Sequence, residues 1–250
     1  MHSWNIAIGN FFFRYRNALF PLIIAFGFLL LRPQPMFGNM FDWILGAMGV
    51  VFAVLGEAIR LATIGFQYIH RGGKDGKVYA KRLVRGGMYG ITRNPMYLGN
   101  GLICVGMIMY LGSPAGYFTL IPFFLFVYHA IIAAEESYLQ KQFGSDYDAY
   151  AATVNRIIPS FSSVRESFAR MRFDWRRSIK KDLGTIAGLT IGLNVVPVWR
   201  SYFLHHAAAT HRAGLRAFWL ILAISLVYFI LLKLKHANRL FRAANWHKSR

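Results

Sequence analysis

The chain has 250 residues, of which 56% are hydrophobic and only 16% charged, and its mean hydropathy is +0.36. Soluble domains carry about 25% charged residues, so an ordinary soluble domain is excluded, and with Cys104 as the only cysteine so are an intrachain disulfide and a cysteine-rich metal cluster. The formal net charge is +19, but the cations stand between apolar blocks without any nucleic-acid-binding motif, which points to a bilayer with anionic headgroups as partner and not to nucleic acid.

The apolar residues come in long blocks, the pattern of helices crossing a bilayer; a transmembrane barrel would show short alternating segments instead. The first block, 18–31, ends at Arg32-Pro33-Gln34-Pro35. No small-residue cleavage site follows it, so it reads as a retained anchor and not as a signal peptide. The second block, 41–66, carries Glu57 and Arg60 near its far end, at a spacing that puts both on one helical face. A cationic segment over 70–85 follows, with turns at Gly72-Gly73 and Lys74-Asp75-Gly76. The third block spans 97–111, Gly112-Ser113-Pro114-Ala115-Gly116 reverses the chain, and the fourth block, 117–134, returns. Two crossings and one tight turn make a helical hairpin, with Arg93-Asn94-Pro95-Met96-Tyr97 and Glu135-Glu136 at the same membrane face.

Residues 139–156 read as a polar helix broken by Gly144. Beyond Pro159, Val164, Phe168, Met171 and Trp175 recur at helical spacing among Arg165, Arg172, Arg176 and Arg177. That suits a helix lying in the membrane interface or a basic helix packed on the protein surface. Two apolar blocks close the chain, 183–198 and 218–234. Gly184, Gly188, Gly192 and Pro197 suggest a kinked or re-entrant first block, and the Gly184–Gly188 spacing favours close helix contact. The expected fold is therefore an all-α, polytopic helical membrane protein with about six membrane-embedded segments and a helical hairpin at its core. Lys and Arg crowd 70–93, 156–181 and the tail after Lys233, while 32–40 and 112–116 hold almost none. The positive-inside rule then makes the motif face and both termini cytoplasmic, in a bacterial inner membrane or the endoplasmic reticulum. The segment 200–216, with three arginines and three histidines, is an exception on the outer side.

The motif residues carry the chemistry. Arg93 offers a planar fork of donors that matches a carboxylate. Pro95 suits the first position of a helix, so Arg93 stands just before a helix N-terminus that itself favours anions. Positive-inside anchoring with a proline cap is the plainer account of the pair. Glu135 and Glu136 provide acceptors for an ammonium, for ribose hydroxyls or for a basic side chain such as Arg93. His129 precedes Glu136 by seven residues and shares its helical stripe. Gly99, Gly101 and Gly106 suit either close approach of a ligand or helix packing in lipid. Tyr89 and Tyr97 flank Arg93, as cation-binding rings or as ordinary interfacial tyrosines.

Taken together, 87–99 (Gly-Met-Tyr-Gly-Ile-Thr-Arg-Asn-Pro-Met-Tyr-Leu-Gly) resembles the Gly-Pro-Tyr…Arg-His-Pro-x-Tyr-x-Gly signature of isoprenylcysteine carboxyl methyltransferases and phospholipid N-methyltransferases. Glu135-Glu136 matches that family's Glu-Glu motif. Phe143-Gly144, Tyr147, Tyr150, Val154, Arg156 and Pro159 match its tail, and Gly56 and Arg60 fit an upstream element. The resemblance divides the chain into N-terminal membrane segments (1–54), a methyltransferase core (55–160), a basic interfacial segment (161–181) and C-terminal membrane segments with a basic tail (182–250). It implies an integral-membrane enzyme that uses S-adenosylmethionine, without a metal, to methylate a lipid or lipophilic small molecule. The cofactor would lie among Tyr89, Arg93, Asn94, Pro95, Tyr97, Gly99, Gly101, Glu135 and Glu136. Arg156, Glu136 and His129 would act on the acceptor. The sequence departs from the signature at Asn94, where histidine is usual, and at Met88, where proline is usual. Asn94 cannot carry a proton at neutral pH, which leaves the general base open. A non-catalytic scaffold on the same fold and a membrane reductase are the competing readings.

Overall fold

The computed structural model describes residues 3–66, 80, 82–162, 164–169, 171–204 and 207–236. Their regular structure is entirely helical, as expected: α1 (Ser3–Leu30), α2 (Asn39–Phe66), α3 (Met88–Ile91), α4 (Pro95–Leu111), α5 (Pro114–Phe143), α6 (Ser145–Thr153), α7 (Val164–Phe168), α8 (Trp175–Leu204) and α9 (Ala207–His236). Four stretches are long and apolar enough to cross a membrane: Met40–Phe66, Pro114–Phe143, Trp175–Leu204 and His211–Lys233. Helix α1 adds a fifth if its halves, Trp4–Arg16 and Ala18–Leu30, are counted as one bent span. Pro21 lies four residues beyond the bend and cannot donate to the carbonyl there, which accounts for the break. Helix α4 is apolar but only 17 residues long, short of the roughly 20 that cross a hydrocarbon core. Among the described residues six helices are apolar, of which four or five reach spanning length.

Large apolar side chains stand outward along these helices, among them Leu30, Trp43, Phe118 and Trp219. Such a surface is a liability in water and the natural contact with lipid tails in a bilayer. The chain is an integral membrane protein. The cationic turns expected at 70–79 and the basic tail beyond 236 lie outside the described residues.

Helices α2 and α4 approach most closely, antiparallel, through glycines two turns apart on each. A Cβ on Gly49 would stand 2.5 Å from the Gly106 carbonyl oxygen, and one on Gly56 2.5 Å from that of Gly99. Without an apolar driving force between helices in lipid, such backbone-to-backbone fit supplies much of the association. The close contact expected of Gly184 and Gly188 is not made: nothing lies within 4 Å of where either Cβ would stand. The α8 glycine in tight contact is Gly192, against Met107 of α4. At the hairpin tip, Gly112 takes φ +71° and caps α4, and Pro114 opens α5. A left-handed residue followed by a proline ends one helix and starts the next within two positions.

The C-terminal half departs further from expectation. Helix α8 runs unbroken through its glycines and Pro197, so 183–198 is neither re-entrant nor interrupted, and most of the loop expected at 200–216 is helical. The helix expected to join Val164, Phe168, Met171 and Trp175 is divided after the short α7. Asp174 causes the division. Its carboxylate accepts the Arg177 N–H at 2.9 Å, an N-cap that starts α8 afresh. Phe168 and Phe173 turn onto Phe66 instead, with ring centroids 4.6 and 5.1 Å away. The start of α8 then closes the end of α2. Asp174 N donates to Gly65 O at 3.0 Å, Arg177 Nη2 to the same oxygen at 2.6 Å, Arg177 Nε to Ile64 O at 3.1 Å and Ser178 Oγ to Leu61 O at 2.7 Å. The Ile64 and Gly65 carbonyls are among those that a helix C-terminus leaves without intrahelical partners, and Ser178 adds a second donor to a carbonyl one turn back.

Candidate functional site

The antiparallel packing brings the end of α2, the start of α4, the end of α5 and the start of α8 to one side of the bundle. The expected motifs meet there. Pro95 occupies the first position of α4 and Asn94 the cap. The Asn94 side chain does not cap the helix, however. Its Nδ2 donates to Glu136 Oε1 at 3.1 Å and to the Arg156 carbonyl at 3.0 Å. Arg93 Nε stands 3.4 Å from the same Glu136 oxygen, and Arg93 Nη1 donates to Ala151 O at 3.0 Å. Arg156 Nε lies 2.9 Å from Glu136 Oε2. Glu136 therefore sits between two arginines and an amide. One helical step before it, Glu135 accepts the Tyr97 hydroxyl at 2.6 Å. Both carboxylates are buried, at 5% and 6% exposure.

Gly144 makes this assembly possible. Its φ of +52° breaks the helical run between α5 and α6, in a region that disfavours any side chain. The chain folds back so that 151–157 lies against 89–93. Arg93 N donates to Asn155 O at 2.9 Å, and Thr92 Oγ1 to Ile157 O at 3.0 Å. Tyr150 OH donates to the Tyr89 carbonyl at 2.7 Å. Ser160 and Ser167 also close on α3: Ser160 N donates to Ile91 O at 3.0 Å, Gly87 N to Ser167 O at 2.8 Å, and a Cβ on Gly90 would stand 2.1 Å from Ser167 Oγ.

Two carboxylates and two guanidinium groups balance in charge, which a buried ionic cluster requires. The hydrogen bonding does not balance. Arg93 Nε, Arg156 Nε and Arg156 Nη2 are buried without a hydrogen bond of good geometry among the described residues. The two Nε atoms still face Glu136 as ion pairs, which leaves Arg156 Nη2 as the open donor, and a buried open donor favours a ligand with acceptor oxygens. The carboxylate of S-adenosylmethionine is a group that meets that requirement. The cluster thus fits the cofactor that the resemblance implies.

Arg93, Asn94, Pro95, Tyr97, Glu135, Glu136 and Arg156 are brought together, and Tyr89 is buried in α3. Two expected residues stand elsewhere. His129 is exposed two turns from Glu136 on α5, outside the cluster. Gly99 is occupied with packing, since its Cβ would meet Arg60 Cγ and the Gly56 carbonyl oxygen at 2.7 Å, so its small size serves α2 and not a ligand. Gly101 is the open one, with nothing within 4 Å of its Cβ position. Sequence reasoning missed Asp182, Asn100 and Thr185. All three hold Arg60, through hydrogen bonds from its guanidinium. An acidic residue at the edge of an apolar block was the available signal for Asp182.

The family model of the phospholipid methyltransferases matches residues 43–146. This agrees with the family resemblance of the motifs, over somewhat less than half of the chain. The match runs from α2 to the first residues of α6, so Arg156, α7, α8 and α9 lie beyond it. No curated protein and no solved structure matches the chain.

Proposed function

We propose that this protein transfers a methyl group from S-adenosylmethionine to a lipid acceptor at the cytoplasmic face of its membrane. The observation that carries the reading is the buried Arg93–Glu136–Arg156 cluster, with Arg156 Nη2 as an open donor, at the start of α4. Orientation rests on the crowding of Arg165, Arg172, Arg176, Arg177, Lys180 and Lys181 toward the same end of the bundle.

When bound, S-adenosylmethionine supplies an electrophilic methyl group on a sulfonium. Arg93 and the α4 N-terminus would hold the cofactor's carboxylate. Glu136 fixes both arginines, and Asn94 fixes Glu136. Glu135 and Tyr97 would face the cofactor's donors. The protein's contribution to the reaction is then orientation and exclusion of water. A carboxylate acceptor needs no base. With an amine or hydroxyl acceptor, a proton must leave as the new bond to carbon forms and the carbon–sulfur bond breaks. Glu136 has both oxygens engaged, and His129 is exposed away from the cluster. Glu135, reached directly or through the Tyr97 hydroxyl, is the best-placed group to take that proton.

Titration of S-adenosylmethionine and S-adenosylhomocysteine onto the full-length protein in lipid nanodiscs tests the reading, with NADPH as control. Saturable binding of both, lost in Arg93→Ala, is expected. Failure of folded protein to bind either would leave a scaffold, and binding of NADPH alone would leave a reductase.

A further inference from the structure

Residues 155–157 follow α6 outside any helix, and their carbonyls are taken up one after another by residues 92–94. Arg93 N donates to Asn155 O at 2.9 Å, Asn94 Nδ2 to Arg156 O at 3.0 Å and Thr92 Oγ1 to Ile157 O at 3.0 Å. The Asn94 amide gives a further hydrogen bond, to Glu136 Oε1 at 3.1 Å. Glu136 Oε2 in turn lies 2.9 Å from Arg156 Nε. Asn94 thus closes a ring through Arg156: it holds the main chain of that residue directly and its guanidinium through Glu136. Both partners of Nδ2 are acceptors, so it is the amide nitrogen and not the oxygen that fits there.

This use of the side chain sets aside its ordinary one. An asparagine at an N-cap accepts from a first-turn N–H of its own helix. Asn94 is the N-cap of α4, and its side chain makes no such bond. The residue is 2% exposed, so both amide hydrogens are committed inside the protein. They join the region matched by the family model, which ends at residue 146, to the segment beyond it. Arg156 Nη2, the open donor of the cluster, stands on that segment.

We propose that Asn94 is a positioning residue that fixes Arg156, and with it the open donor, through a group that has no proton to lose near neutral pH. The inference rests on the cofactor reading above and deepens it. Histidine, usual at this place in the signature, offers two donors only as an imidazolium. A neutral imidazole turns a lone pair toward Glu136 or toward the Arg156 carbonyl, and one link is lost. The imidazolium keeps both links but adds a positive charge to a cluster in which Arg93 and Arg156 already match Glu135 and Glu136. An amide gives two donors and no charge. Among the described residues, the charged groups of the cluster around position 94 are Glu135 and Glu136 on α5, Arg156 on the returning segment and Arg93 beside Asn94. Wild type and an Asn94→His variant share all four, so a difference between their pH profiles belongs to the imidazole.

The test titrates S-adenosylhomocysteine onto both full-length proteins in lipid nanodiscs between about pH 6 and pH 8, the range in which histidine changes state. Wild-type affinity should stay constant. Asn94→His should bind at least about tenfold more weakly at the alkaline end and recover toward wild type at the acid end. A flat profile for the variant, at wild-type affinity or below it, would overturn the proposal. Asn94→Asp has the same shape and neither donor, and it gives a second reading that needs no cofactor and does not depend on Asn94→His folding. Hydrogen exchange followed by mass spectrometry should quicken at 154–160 in this variant and stay as in wild type along α4 and α5. Unchanged exchange at 154–160, exchange quickened throughout the chain, or failure of Asn94→Asp to fold would each overturn the proposal, the first because the joint is idle and the others because Asn94 serves general stability. Failure of wild type to bind the cofactor would count against methyl transfer and leave the exchange measurement to judge the joint.

Discussion

The Arg60 cluster makes the effect of Glu57→Gln change sign with its background. In wild type, Arg60 has Asp182 and does not need Glu57, so removing the Glu57 charge relieves an excess. In Asp182→Asn, Arg60 loses its bidentate carboxylate at a position where the Asp182 side chain is 3% exposed. Removing one partner of a buried ion pair costs about 3–5 kcal/mol. Glu57 is 3.8 Å from Arg60 Nε and has both oxygens free, so a small side-chain rotation supplies a replacement. A hydrogen bond to a charged group recovers about 1.5–3 kcal/mol. The net cost of Asp182→Asn is then about 2 kcal/mol, a fall of about 4–8 °C in Tm at the usual slope for a chain of this size. Adding Glu57→Gln removes the replacement and restores the full loss, so the same substitution now destabilises. Thermal unfolding in detergent, followed by tryptophan fluorescence across the wild type, both single variants and the double variant, measures this cycle. A Glu57→Gln shift of the same sign and size in both backgrounds would refute the charge accounting.

Three further outcomes rest on individual contacts. Gly99→Ala should cost about 1–3 kcal/mol of stability because its Cβ would overlap the Gly56 carbonyl oxygen and Arg60 Cγ at 2.7 Å, whereas Gly101→Ala should be nearly neutral in the same melting assay. Arg93→Ala should weaken S-adenosylhomocysteine binding at least about tenfold by calorimetry while leaving the protein folded; an affinity equal to wild type would remove Arg93 from the cofactor site. Arg200→Ala removes a 2.8 Å hydrogen bond to the Tyr110 carbonyl at the end of α4, and a loss of about 1.5 kcal/mol is expected in denaturant titration, with no change in cofactor affinity.

The elements that sequence made legible are those fixed by local chemistry. Pro95, Gly112, Pro114 and Gly144 each impose a start, a reversal or a break through backbone geometry alone, and the hairpin and the α5–α6 junction stand where they placed them. The convergence of Arg93, Glu136 and Arg156 results from that hairpin plus the break at Gly144. What misled was periodicity read without capping. Val164, Phe168, Met171 and Trp175 have helical spacing, but the Asp174 carboxylate satisfies a first-turn N–H of a new helix and outweighs the pattern. The α8 glycines misled in another way. Glycine spacing shows where helices can approach, and only the partner decides whether they do: Gly49, Gly56, Gly99 and Gly106 face each other, while Gly184 and Gly188 face nothing within 4 Å. His129 shares a helical stripe with Glu136 yet is exposed, because the cluster packs against α5 only at its far end.

Nor could the sequence show that the matched region depends on the C-terminal part of the chain. The match ends at residue 146, while Glu136 takes its second arginine from position 156 and Arg60 its bidentate partner from position 182. The last carbonyls of α2 are likewise closed by Asp174 and Arg177. A chain cut after residue 160 would keep every motif of the signature and still expose Arg60 and the end of α2 together. Several buried polar groups would lose their partners at once, each at a cost of about 1–3 kcal/mol, against a total stability of about 5–15 kcal/mol for an ordinary domain. Such a truncation should therefore fail to yield folded protein that binds cofactor. Recovery of a monodisperse, cofactor-binding 1–160 fragment would show instead that α8 is an appendage to a self-sufficient core.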